Sequence, residues 1–305
     1  MSGDLIETQG LTVFYGSHRG IRDVDLTVRQ GEVFGFLGPN GAGKTTTMRV
    51  LLDIIRPTRG RASLFGLDCQ RDGVAIRKRV AYVPGELALY GNLTGRRYLD
   101  TLDRLRGRRA APFYRRELCD RLGLDTTRRV AEYSQGNKKK LSLVAAFMAK
   151  PDLLILDEPT GGLDPLVQQT VLRMVQEARR EGRTVFFSSH ILSEVQAISD
   201  RVGIIREGRL VTVERVDDLT AQPFHRLRLS FAQQPPAEAF QIAGVTELDR
   251  EGPSVRLEVR ENLAEVMRIA AAIGITDMET QPVTLEEVFL AYYGEKGVDR
   301  HGQGA

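Results

Sequence analysis

The sequence predicts an α/β fold built on a parallel sheet, followed by a small α+β domain. Three observations predict it. Short apolar runs, among them Leu153–Leu156 and Thr184–Ser188, alternate with helix-period segments. Runs of that length with almost no polar face are the mark of strands covered on both sides, and strand–helix alternation implies parallel pairing. Second, a glycine-rich loop at 38–43 joins an apolar strand to a periodic helix. Third, the composition shifts at 220–237, where Gln222-Pro223 and Gln233-Gln234-Pro235-Pro236 interrupt the pattern.

Taken in order, residues 5–13 and 22–34 read as strands. The second alternates through Val24, Leu26 and Val28, pauses at the turn Gln30-Gly31, and resumes as Val33, Phe34, Phe36 and Leu37. A helix from Lys44 to about Ile55 is closed by Pro57 and Gly60. Strands follow at 61–68 and 79–83, then a helical, arginine-rich stretch at about 94–150. The strand Leu153–Leu156, a helix at 166–181 and the strand Thr184–Ser188 come next. Beyond the break, Arg226–Phe231 and Val255–Val259 alternate as strands, while Asn262–Ile273 and Leu285–Tyr293 read as helices. The expected domains are 1–221, with a helical subdomain at about 85–150, and 222–296. The tail 297–305 is expected to be disordered, and no internal repeat is present.

Bulk properties bound the partners. At 305 residues, 42% hydrophobic and 27% charged, the chain has the composition of a globular protein with a sizeable core. A net charge of +3 gives no footing for a nucleic-acid partner. Two cysteines, Cys69 and Cys119, make neither a metal spacing nor a disulfide framework, which suits a reducing compartment. The start MSGDLIETQG lacks the features of a signal peptide. The most apolar stretch, 141–156, is broken by Lys150, Pro151 and Asp152, short of a membrane span of about 18 residues. Any membrane role is therefore expected from the aqueous side. Residues 96–129 hold eleven arginines against five acids. That pattern fits the solvated face of amphipathic helices, or a surface near anionic lipid or a docking partner.

The strongest motif is Gly38-Pro39-Asn40-Gly41-Ala42-Gly43-Lys44-Thr45, a full match to G-x-x-x-x-G-K-[ST]. Triphosphate oxygens need many converging donors. Glycines let the backbone approach closely and aim N–H groups inward, and the next helix points its N-terminus at the anion. Lys44 can reach the β- and γ-phosphates of ATP, and the Thr45 hydroxyl can ligate Mg²⁺.

Downstream, Leu153-Leu154-Ile155-Leu156-Asp157-Glu158 is an apolar strand ending in two acids. A carboxylate at a buried strand's edge needs a cation or donors. Asp157 suits Mg²⁺, and Glu158 suits a general base or a residue that orients water. His190 follows the strand ending Phe186-Phe187-Ser188-Ser189, where it serves either as a structural side chain or as a contact to the γ-phosphate.

Together these motifs resemble the nucleotide-binding subunit of an ABC transporter over about residues 1–220. Tyr133-Ser134-Gln135-Gly136-Asn137-Lys138-Lys139-Lys140-Leu141 is similar to the signature motif that sets this family apart from other P-loop ATPases. Ser134 and Gly136 match its pattern, while Gln135 and Asn137 stand where glycine and glutamine are usual. The resemblance implies a RecA-like P-loop core carrying an antiparallel β layer and an inserted helical subdomain. It implies that Ser134 and Gly136 reach the γ-phosphate held by a second ATP-binding subunit, a homodimer being expected. Gly161-Gly162-Leu163-Asp164-Pro165 resembles the D-loop, with Asp164 the position carried over. Tyr15 matches the aromatic that stacks on adenine, and Thr46 follows the loop into the same site. The implied partners are separate integral membrane permease subunits, with the chain peripheral on the cytoplasmic face of the cell membrane.

One departure stands out. Aligning on Val80-Ala81-Tyr82-Val83-Pro84 puts Gly85, with Glu86 next, where the family carries the Q-loop glutamine. Gln281-Pro282-Val283-Thr284-Leu285-Glu286-Glu287-Val288-Phe289-Leu290 is similar to the closing helix of bacterial drug, antibiotic and polysaccharide exporter subunits, as is Leu87–Thr94 after the Q-loop. An ATP hydrolase driving export by dimer closure is the implied function. A nucleic-acid clamp of the same family would carry two cassettes or a long coiled coil, and neither is present. A subunit that binds ATP and barely turns over is the other rival, given room by Gly85.

Overall fold

Where the sequence pauses at Gln30-Gly31, the chain leaves one sheet and enters another. The computed structural model describes residues 3–16, 18–106, 111–220 and 225–281. The chain packs into two units, Met1–Arg215 and a second that begins at Val216.

The first unit runs β1 (Asp4–Tyr15), β2 (His18–Arg29), β3 (Val33–Leu37), α1 (Lys44–Leu51), β4 (Arg59–Leu64), β5 (Leu67–Asp68), α2 (Gly73–Arg77), β6 (Val80–Val83), α3 (Gly95–Arg106), α4 (Pro112–Arg121), α5 (Gln135–Phe147), β7 (Leu153–Asp157), α6 (Pro165–Arg180), β8 (Thr184–Ser189), α7 (Leu192–Ile198), β9 (Arg201–Arg206) and β10 (Arg209–Arg215). An antiparallel sheet takes the order β2-β1-β4-β5, and a six-stranded sheet takes β10-β9-β3-β8-β7-β6. In the second sheet all pairs but β10–β9 are parallel.

Every residue of β3, β7 and β8 is buried, as their continuous apolar runs require. One core joins the two sheets through α1: Ile6, Leu11, Ile21 and Leu26 of the antiparallel layer share it with Phe34, Phe36, Met48, Leu51 and Phe186. Phe186 lies 5.8 Å from Phe34 and 5.4 Å from Phe36 between ring centroids, within the range of favourable aromatic pairs. Thr8 is buried in β1 without penalty because its hydroxyl donates to Val24 O (2.8 Å) and accepts from Leu26 N (2.9 Å) beside a register shift.

Several boundaries differ from expectation for identifiable reasons. α1 stops at Leu51 rather than Ile55 because Asp53 turns to φ 54° and Ile54 N reaches back to Arg49 O. The helical stretch is interrupted: α4 ends at a left-handed Gly123 (φ 58°), and Thr94 bridges Arg129 before α5 begins. α5 starts at Gln135, where Ser134 caps it by accepting Asn137 N at 3.2 Å. The hairpin β9–β10 was not anticipated. Its turn, Glu207-Gly208, has both φ positive (48° and 73°), the type I′ requirement.

Among the described residues, arginines of 96–129 fall into two kinds of setting. Arg121 forks onto Glu177 (2.7 and 2.9 Å), tying α4 to α6, and Arg115 pairs with Asp100 at 2.7 Å. Arg96, Arg97, Arg104 and Arg116 are exposed, as a solvated face or a docking surface both allow.

The second unit holds α8 (Val216–Thr220), β11 (His225–Phe231), β12 (Val245–Glu251), β13 (Ser254–Val259), α9 (Leu263–Ile273) and β14 (Ile275–Gln281). Its antiparallel sheet, ordered β12-β13-β11-β14, buries Leu227, Leu229, Phe231, Val255, Leu257 and Val259 with Val266 and Ala270 of α9. The expected helix Leu285–Tyr293, most of the exporter-like motif 281–290 and the tail 297–305 lie outside the described residues.

Candidate nucleotide site

The loop between β3 and α1 is shaped by Gly38 and Gly43, where there is no room for a side chain. Gly43 has φ 110°, and a Cβ there would meet Ile21 Cγ2 at 2.5 Å. A Cβ on Gly38 would collide with Ile205 O. Asn40, Gly41, Gly43, Lys44, Thr45 and Thr46 line a cavity of about 240 Å³, closed on other sides by Tyr15, Gly20 and Glu158. Gly38, Pro39 and Ala42 are not among the lining residues; in the same loop Ala42 N donates to Pro39 O (3.1 Å), and Gly208 N to Ala42 O (2.9 Å). Tyr15 is 47% exposed, so its ring is open to a planar partner, and its hydroxyl sits 3.4 Å from Thr46 Oγ1.

Lys44 is buried, with Nζ on Gly38 O at 2.6 Å and 3.6 Å from Glu158 Oε1. Burial holds its pKa below that of an ordinary lysine, partly offset by Glu158 and Asp157.

Parallel pairing of β7 with β8 brings the acidic pair to the loop. Asp157 is only 2% exposed. Its Oδ2 accepts from Thr45 Oγ1 at 2.7 Å and its Oδ1 from Ser188 Oγ at 2.6 Å. Thr45 and Asp157 thus stand together as hard oxygen donors, the kind Mg²⁺ takes. No group of three or more His, Cys, Asp or Glu side chains suited to a metal occurs among the described residues. The set accordingly suits an ion that completes its shell with phosphate and water, as Mg²⁺ does.

Glu158 adopts φ 47°, a left-handed conformation that costs a non-glycine residue about 1–3 kcal/mol. Its N–H is held by Ser188 Oγ at 3.1 Å, and its Oε1 lies 3.4 Å from His190 Nδ1. The turn therefore aims the carboxylate into the cavity and towards His190, which is half exposed.

Ser134, Gly136 and Asp164 are not among the residues lining that cavity. A Cβ on Gly136 would lie 3.2 Å from Gly162 O, so the start of α5 packs on the loop 161–164 of its own chain. Asp164 caps α6 by accepting Val167 N at 3.0 Å. A second cavity of about 370 Å³ lies here, lined by Gly85, Glu86, Leu87, Gln135, Lys139, Gly161 and Gly162.

Two residues of this region were missed in the sequence. Ser188 serves both acids, yet a serine ending an apolar strand looks like the start of a loop. Lys139 is buried among three consecutive lysines, its Nζ on Pro84 O (3.2 Å) and Gly85 O (3.3 Å). Burial lowers its pKa, against the pull of Asp157 and Glu158. Helical spacing gave no signal for it, since Lys138 rather than Lys139 stands i+4 from Ser134 and i+3 from Gln135.

Comparison with known proteins fits this geometry. Residues 21–161 match the ABC transporter family. The chain is 35% identical to the daunorubicin/doxorubicin resistance ATP-binding protein DrrA of Streptomyces peucetius, covering 98% of this chain and 96% of that one. It is 36% identical to the bacitracin transport ATP-binding protein BcrA of Bacillus licheniformis over 76% of this chain and 77% of that one. A solved ATP-binding subunit of an ABC transporter, 32% identical, superposes with a TM-score of 0.66 over 70% of this chain and 91% of its own. A dimeric ATP-binding cassette bound to ADP and Pi, 18% identical, shares the fold at a TM-score of 0.63 over 69% of this chain and 98% of its own. With these identities over most of both chains, this chain belongs to the ABC transporter ATP-binding family.

Proposed function

We propose that this ABC-type ATPase is one of two motor subunits that export a drug-like or antibiotic substrate through separate membrane permeases. The observation that carries the reading is the junction of Thr45, Asp157 and Glu158 at the mouth of the phosphate loop. Lys44 and the loop N–H groups bind the triphosphate of ATP. Thr45 and Asp157 would hold Mg²⁺, which supplies charge neutralisation at the β- and γ-phosphates. Glu158 takes a proton from, or orients, the attacking water, and His190 steadies the γ-phosphate as ATP and water become ADP and phosphate.

Ser134 and Gly136 lie outside the cavity of their own chain, which supports a role in the site of a second copy. A helix N-terminus capped by Ser134 offers free N–H groups to an anion there. Two ATP molecules then draw a homodimer together, and hydrolysis releases it. Export of a drug-like cargo is suggested by the names of the two bacterial relatives, one for daunorubicin resistance and one for bacitracin transport. The chain would sit peripherally on the cytoplasmic face of the membrane; among the described residues no helix is long and apolar enough to cross it.

Lys44→Ala tests the reading. Nucleotide affinity is expected to fall at least about tenfold and Mg²⁺-dependent phosphate release to background, since a buried charge-assisted contact is lost. Unchanged affinity and turnover would refute it. Co-purification from membranes identifies the permease, and the absence of any integral membrane partner would remove the transport half.

A further inference from the structure

Glu194 is a buried carboxylate that the catalytic scheme does not use. It lies in the first turn of α7 and is 7% exposed. Two hydroxyls, one from the turn after β7 and one from the last residue of β8, donate to the same oxygen, Oε2: Thr160 Oγ1 at 2.9 Å and Ser189 Oγ at 2.9 Å. Both donors are themselves 2% exposed. Burying a carboxylate is costly unless donors meet it, and here the donors come from the loops that carry the reacting side chains.

Thr160 stands two residues after Glu158, in a turn closed by Gly161 N to Glu158 O (3.2 Å) and Leu163 N to Thr160 O (3.2 Å). Ser189 directly precedes His190, and its hydroxyl accepts Ile191 N at 2.9 Å, so that side chain fixes the bend on which His190 sits. Its proton goes to Glu194 while one lone pair takes Ile191 N, so the one hydroxyl ties the bend to the carboxylate. The two loops meet again at the site, where Glu158 Oε1 and His190 Nδ1 are 3.4 Å apart.

We infer that Glu194 is a positioning residue: it clamps the Glu158 loop to the His190 loop and so sets the spacing of the two side chains that handle the water and the γ-phosphate. The clamp also helps hold Glu158 in its left-handed turn, a conformation that persists only where the surroundings over-determine it. This rests on the roles proposed above for Glu158 and His190. Binding of ATP, which depends on the phosphate loop, does not pass through the clamp.

The test uses the full chain with Mg²⁺-ATP. Glu194→Met removes both acceptor oxygens, and kcat is expected to fall about tenfold or more, as small misplacements of reacting groups do, with KM for ATP within about twofold. Glu194→Gln keeps a carbonyl oxygen with two lone pairs and is expected to retain kcat within about threefold. Ser189→Ala and Thr160→Val should each lower kcat in the parent chain and add nothing in the Glu194→Met background. Nucleotide affinity, read with a fluorescent ATP analogue, reports that each variant is folded. If Glu194→Met proves unstable, the Ser189→Ala and Thr160→Val pair in the Glu194→Gln background decides: losses in kcat that match those in the parent chain support the clamp. Wild-type kcat in Glu194→Met, or fully additive losses across the Glu194→Met cycle, overturns it. Lys44→Ala run alongside separates the two claims. If it abolishes turnover while Glu194→Met is silent, the clamp alone fails; if Lys44→Ala is active, the site itself is misassigned.

Discussion

The Thr45 hydroxyl donates to Asp157 Oδ2 at 2.7 Å, so one hydrogen bond ties the end of the phosphate loop to the end of β7. Asp157→Asn keeps an acceptor for Thr45 and removes the charge. The Mg²⁺ concentration for half-maximal phosphate release is expected to rise about tenfold or more, because a hard cation loses its anionic ligand. An unchanged Mg²⁺ titration would take Asp157 out of the metal site.

Glu158→Gln tests the water-handling role. The amide is isosteric and cannot accept the proton, so turnover should fall about 10²-fold or more. ATP still binds, and the variant is expected to elute as a dimer in ATP and as a monomer without it. Wild-type phosphate release in this variant contradicts the assignment.

Lys139→Met separates stability from function. Burial is the largest influence on Lys139, so removing its charge should leave the melting temperature unchanged or raised. Its two carbonyl acceptors, Pro84 O and Gly85 O, are then released, and the loop beside Asp157 loosens. The expected result is lower kcat at equal or higher thermal stability. A parallel loss of both would make Lys139 a packing residue only.

Gly85→Gln restores the side chain usual in the family. A Cβ there lies 3.4 Å from Asp157 Oδ2, an ordinary contact, and Gly85 is not in the left-handed region, so the substitution fits. The added amide would stand beside Asp157, the residue proposed to hold Mg²⁺. We expect the rate, or its stimulation by the membrane partner, to change measurably in ATPase assays with and without that partner. Identical values under both conditions would mean that glycine carries no cost, Glu86 or water having taken over the contact.

The candidate site was legible where its proposed chemistry demands a local pattern. Gly38–Thr45 must be glycine-rich to wrap phosphate, and Leu153–Asp157 must be apolar up to the acid because both of its faces are covered. What stayed hidden depends on tertiary placement. Which of Lys138, Lys139 and Lys140 turns inward is set by how α5 lies beside β6, and no local rule distinguishes three lysines in a row. Glu194 carried no signal, since its partner Thr160 is brought to it only by the sheet order β8-β7, and the nearby Ser189 means little without it. The hairpin β9–β10 could have been read from its alternation and the Glu207-Gly208 turn, whereas the sheet each strand joins could not.

The left-handed turn at Glu158 sets the fold against the work it performs. Asparagine or glycine would sit in that backbone more comfortably. A screen that ranks variants by heat resistance alone would therefore drift towards an inert protein at this position. Any effort to toughen this chain should score phosphate release at every round.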